Sequence, residues 1–146
     1  RRSSDLHRFA NRVHLLDDSD AAVVFAAGDV FVLDSFAEGG PIVAVEALRH
    51  GLPVVLSQVG FARTLLKDDP RLGIVVPAAG HGRVGRSARL ERYRRHQSNR
   101  REFANALLSV VARGPLPEDV QIPHEFTEDS MVASHARLLR EVATGR

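Results

Sequence analysis

The chain has 146 residues, 44% of them hydrophobic, and a formal net charge of only +2; it holds enough apolar material for one core and is neither disordered nor a charged tail. The absence of cysteine excludes a disulfide framework and a thiolate nucleophile, which fits a reducing compartment. No apolar run reaches bilayer-spanning length and no signal peptide opens the chain, so the expected location is cytoplasmic.

Arg1-Arg2-Ser3-Ser4 opens the chain without an initiator methionine, and residues 6–10 read as the end of a helix, so the expectation is a chain that begins inside a domain. Residues 12–16, with Val13, Leu15 and Leu16, read as a strand; His14 sits on it with no partner that suggests a metal site. Asp17 or Asp18 caps a helix that runs through Ala27 and stops at Gly28. Val30-Phe31-Val32-Leu33 is a short apolar run with β-branched residues, as in a strand buried on both faces of a parallel sheet.

The stretch that organises the rest follows directly: Glu38-Gly39-Gly40-Pro41-Ile42-Val43-Ala44-Val45-Glu46. Pro41 suits a first helical position, the helix runs to about His50, and Gly51 and Pro53 end it. A helix that starts on a glycine turn presents unpaired N–H groups and the positive end of its dipole, so the amides of Gly40, Ile42 and Val43 suit a phosphate. Glu38 and Glu46 would repel that phosphate and instead suit neutral hydroxyls on either side of it. Glu46 lies about 7 Å along the axis from Pro41, at roughly 1.5 Å per residue. The alternative is an ordinary buried helix in which Glu46 pairs with Arg49 or His50.

Val54-Val55-Leu56-Ser57 makes another buried strand, residues 61–67 a short helix broken by Asp68-Asp69-Pro70, and residues 72–76 a further strand. Strands alternating with helices imply βαβ units: an α/β, Rossmann-like parallel sheet of about four strands, with its ligand at the carboxyl ends of the strands.

These residues resemble the retaining nucleotide-sugar glycosyltransferases of the GT-B fold (glycosyltransferase family 4, or group 1). The family pattern is a strand, a Ser, Glu-Gly, a small-Pro or Phe-Gly turn, seven residues between two Glu, then Ala and Gly-x-Pro-Val-Val. The chain supplies Ser35, Glu38-Gly39, Gly40-Pro41, Glu46-Ala47 and Gly51-Leu52-Pro53-Val54-Val55, within a likeness that runs from about Val13 to Pro77. The resemblance implies that Glu38 contacts the donor sugar and is the catalytic-site acid, that Gly39, Gly40, Pro41, Ile42 and Val43 line the sugar and diphosphate, and that Glu46 takes the ribose hydroxyls. It implies a nucleoside diphosphate sugar as donor substrate and no cofactor or metal. Asp34 departs from the family by standing where Pro commonly precedes the Ser, and is expected to alter a turn. Phe61 and Thr64 stand where a second Gly and a Glu are frequent, and so bear on the shape of the sugar pocket.

Gly80-His81-Gly82-Arg83-Val84-Gly85 is a literal G-x-G-x-x-G after a strand. An NAD(P)-type site needs that turn directly at the strand end and a further strand with a ribose partner about 20 residues on, whereas Pro77-Ala78-Ala79 intervenes here. A dinucleotide-binding domain, with residues 106–111 as the second strand and Arg113 at a 2′-phosphate, is the weaker alternative reading. Residues 83–101 carry eight arginines against Glu91, and residues 78–101 read as a basic loop or insertion. A solvated segment is the simpler account; contact with an acidic membrane surface at the inner face, or a nonenzymatic anion-binding module, is the functional one. Only Tyr93 offers aromatic stacking there, so nucleic acid is not an expected partner.

Residues 102–113 place Phe103, Ala106, Leu107, Val110 and Val111 in a helical stripe suited to a sheet, and Gly114-Pro115 ends it. Residues 116–126 read as loop, and Thr127 caps a last helix over 127–144 with Met131, Leu138, Leu139 and Val142 along it. The whole chain, 1–146, is then a single partial donor-binding domain of a larger enzyme. The upstream Arg and Lys, the glycine-rich loop and the N-terminal acceptor domain of the family are not identifiable, so the expectation is a chain inactive by itself, with an unknown acceptor.

Overall fold

The computed structural model describes residues 21–79 and 97–145. The α/β expectation holds. The described elements are α1 (Ala21–Ala26), β1 (Phe31–Leu33), α2 (Ile42–Arg49), β2 (Val54–Ser57), α3 (Ala62–Leu65), β3 (Gly73–Val76), α4 (Arg100–Arg113), a 3-10 turn (His124–Phe126) and α5 (Glu128–Thr144). The expected strand over 12–16, the glycine motif at 80–85 and most of the arginine-rich stretch lie outside the described residues.

Among the described residues the sheet has three parallel strands in the order β1-β2-β3. Phe31, Val32 and Leu33 stand opposite Val54, Val55 and Leu56, and Val54 through Ser57 stand opposite Gly73 through Val76. Side chains alternate across the pleat, so β2 and β3 feed two cores. β1 gives Phe31 and Leu33 to one core and leaves Val32 exposed on the other face, short of the burial on both faces expected for it. Val54 and Leu56 enter a large core with Ala44, Val45, Leu48, Leu65 and Leu72, closed by Phe25 from α1. Val55 and Val76 face the other way, onto Phe103, Ala106 and Val110 of α4. The all-buried strand β2 is therefore the centre of a three-layer arrangement, with α2 and α3 on one face and α4 on the other.

The segment after α4 is no idle loop. Leu116, Val120, Ile122 and Phe126 pack against the larger core, and the Leu116 N–H donates to the Gly51 carbonyl at 3.4 Å. This strap is fastened at its far end by Lys67 Nζ on Glu125 Oε1 at 2.9 Å and by Arg49 on the Phe126 carbonyl at 3.5 Å. Thr127 then caps α5 through Ser130 N. No residue of α5 is buried, and Met131, Leu138, Leu139 and Val142 are all exposed, as is Val111 on α4. The α4 stripe therefore meets the sheet through Phe103, Ala106 and Val110 with Leu107 packed beside them, and is corrected only at Val111, which turns past its edge.

Candidate functional site

The site is built at the carboxyl ends of the strands. β1 ends at Leu33, and Asp34 begins the loop to α2. Asp34 Oδ1 accepts two hydrogen bonds of 2.9 Å, from the Ser57 hydroxyl at the end of β2 and from Asn99 Nδ2 just before α4. Ser57 and Asn99 are both buried. The expected effect of Asp34 on a turn is thus a tertiary effect: the carboxylate joins three elements that the sequence separates by 23 and 65 residues.

Four residues on, Glu38 is exposed, and its Oε1 accepts from the Ser35 hydroxyl at 2.8 Å. The turn behind it is held from below. Gly60, at φ 50°, comes so close that a Cβ there would lie 2.9 Å from the Gly39 carbonyl oxygen and 3.1 Å from that of Glu38. Only a residue without a side chain permits both that left-handed backbone and that approach.

Pro41 is corrected by one position: it is the residue before the helix, with φ −77° and ψ 69°, and Ile42 is the first helical residue. Those angles make an inverse γ-turn in which the Ile42 N–H donates to the Gly40 carbonyl at 2.9 Å. The Ile42 amide is therefore already engaged, which removes one of the three donors expected to face a phosphate. The Val43 amide makes no such bond among the described residues. Pro41 is buried, whereas Ile42 and Val43 are exposed.

α2 ends as its sequence predicts. Gly51 at φ 79° follows the His50 cap, its N–H donating to Leu48 O at 3.0 Å while Leu52 N–H reaches Ala47 O at 3.1 Å, a Schellman closure. On the outer face of this helix Glu46 is exposed and takes part in no ion pair among the described residues. The two partners that an ordinary helix would offer it are occupied elsewhere. Arg49 reaches the Phe126 carbonyl, and the His50 ring bonds the Glu46 backbone carbonyl at 2.9 Å and packs on Phe25 at 5.2 Å between ring centroids.

Phe61, already named for its departure from the family pattern, and Phe126, which sequence reasoning left in a loop, complete the surroundings. Phe61, partly buried, lies against Gly40, and its ring packs on Phe126 at 4.8 Å between centroids. No local signal announces the Phe126 contact, because 65 residues of chain separate the rings. Among the described residues no helix is long and apolar enough to cross a membrane.

A loop acid, Glu38, and a glycine turn at the head of α2 follow the carboxyl end of β1, and an exposed acid, Glu46, stands about one turn into that helix. The sequence profile described as Glycosyl transferases group 1 matches residues 1–113. Over 128 residues the chain is 30% identical to the D-inositol 3-phosphate glycosyltransferase of Mycobacterium marinum, covering 88% of this chain and 26% of that protein. The chain therefore spans about a quarter of the length of that relative. No solved structure matches. On the match over residues 1–113, the chain belongs to the group 1 glycosyl transferases.

Proposed function

We propose that this chain is the donor-holding part of a retaining, family 4 type glycosyltransferase of the GT-B fold, which moves a sugar from a nucleoside diphosphate sugar to an acceptor hydroxyl. Glu38 meets the donor sugar, the turn from Gly39 to Val43 lies along the sugar and diphosphate, and Glu46 accepts hydrogen bonds from the ribose. The observation that carries this reading is that both acids are exposed and neither is spent on an arginine among the described residues. Carboxylates left in water beside a helix start are suited to hydroxyl groups, which they bind without the desolvation cost of meeting a second charge.

The contribution to catalysis is positioning of the donor and stabilisation of charge on the departing diphosphate. Metal and cofactor are not required by this reading. The acceptor and the groups that neutralise the diphosphate come from the rest of a larger enzyme, so the chain by itself binds donor without turning it over. A cytoplasmic setting at the inner membrane face suits the basic stretch at 83–101.

Amide hydrogen exchange tests the reading. A nucleoside diphosphate should slow exchange at Gly40 and Val43, and Glu46→Ala should reduce that protection at the same ligand concentration. Protection confined to residues 80–85 would instead establish the dinucleotide alternative.

A further inference from the structure

The two glycines of the turn are not equivalent. A side-chain carbon built on Gly39 meets nothing within 4 Å, so that side of the turn is open. One built on Gly40 runs into the Phe61 ring: Cδ1 stands 2.8 Å away, Cζ 3.3 Å, and Cε1 is nearer still. These distances are well inside van der Waals contact, so the ring fills the volume that any side chain at position 40 would take. Phe61 is also not free to leave. Its other contacts are the larger core and the Phe126 ring at 4.8 Å, and Phe126 is in turn fixed by Arg49 on its carbonyl.

We propose that Phe61, keyed into Gly40 and backed by Phe126, is the specificity-determining wall of the donor site: it closes the Gly40 side of the turn and limits the size of the sugar held beside Glu38. This rests on the donor-binding reading given above. The physical reason is that a sugar held beside Glu38 has room on the Gly39 side and none on the Gly40 side. Close-packed walls discriminate by exclusion, since an aromatic ring held on both sides cannot move aside for a substituent larger than hydroxyl. The wall acts on the sugar and not on the nucleotide, because the diphosphate is addressed by backbone amides and the ribose by Glu46.

The test uses the full 146-residue chain and isothermal titration calorimetry. UDP, GDP and ADP are titrated first; failure of all three to bind overturns both this inference and the donor-binding reading. With the preferred base, wild type and Phe61→Ala are compared on the nucleoside diphosphate, its glucose conjugate and its N-acetylglucosamine conjugate. Phe61→Ala should leave nucleoside diphosphate affinity within about twofold while raising affinity for the N-acetylglucosamine conjugate, relative to the glucose conjugate, by roughly tenfold, the equivalent of one displaced contact of about 1.4 kcal/mol. An unchanged ratio with intact diphosphate binding overturns the wall and leaves the donor-binding reading standing. A second measurement guards against a variant that merely loosens the fold: Gly40→Ala should lower the urea midpoint in the wild-type background and leave it unchanged in the Phe61→Ala background. Equal losses in the two backgrounds would show that ring and glycine are not keyed, and would also overturn the inference.

Discussion

The Ser57 hydroxyl donates to Asp34 Oδ1 at 2.9 Å and so fastens the carboxyl end of β2 to the start of the loop that carries Glu38. Asn99 bonds the same oxygen from the head of α4, which makes one carboxylate the junction of both faces of the sheet. Asn99 Oδ1 is buried and has no hydrogen-bond partner among the described residues.

Removing the junction should be expensive. Asp34→Ala leaves the buried Ser57 and Asn99 donors without their acceptor and should destabilise the fold by about 2–3 kcal/mol, whereas Asp34→Asn keeps an acceptor oxygen and should cost only about 1 kcal/mol. Urea unfolding of the two variants measures the difference. Equal losses would mean that Asp34 acts through its backbone turn and not through these bonds.

Glu46 should behave in the opposite way. It is exposed, and no ion pair is lost with it among the described residues, so Glu46→Ala should leave stability within about 0.5 kcal/mol of wild type. The same variant should weaken nucleoside diphosphate binding about tenfold, or about 1.4 kcal/mol. Calorimetry and urea unfolding on one protein preparation check both halves.

Gly60 and Gly39 offer a paired test of the turn. Gly60→Ala forces a Cβ to 2.9 Å from the Gly39 carbonyl at φ 50° and should cost roughly 1–2 kcal/mol from the left-handed backbone, with the clash added. Gly39→Ala enters open space and should change stability by less than about 0.5 kcal/mol. Thermal unfolding that ranks the two the other way round would contradict the close approach of the two loops.

At the opposite end of the sheet, the Arg71 side chain hydrogen-bonds Asp69 and holds its carboxyl below the ordinary value of 3.8. A lowered folded value means stability that is complete above pH 3.8 and is lost as the pH falls through the lower value. The effect is small because Arg71 stands in solvent, where water and salt screen the pair. Asp69→Asn should flatten the acid limb of the stability curve, its small loss being present above pH 3.8 and vanishing as the pH falls below it, as read by unfolding across roughly pH 2–6.

The order of elements was legible, as was the loop-to-helix junction that carries the candidate site, because both depend on short-range chemistry. The apolar runs at 30–33, 54–57 and 72–76 foretold three strands to within a residue or two, and the Gly51 and Thr127 caps marked helix ends by local backbone requirements. Two acids spaced about a glycine turn likewise carry their meaning within nine residues. What tertiary structure alone decided was which neighbours those residues meet. Arg49, placed by sequence to pair with Glu46, is taken by a carbonyl 77 residues away. The Ile42 amide is taken by the γ-turn that Pro41 closes, and Phe61 fills the space vacated at Gly40. Periodicity and capping are properties of adjacent residues and can be read along the chain. Competition for a hydrogen bond, or for a volume of about one side chain, is settled only when distant segments arrive at the same place.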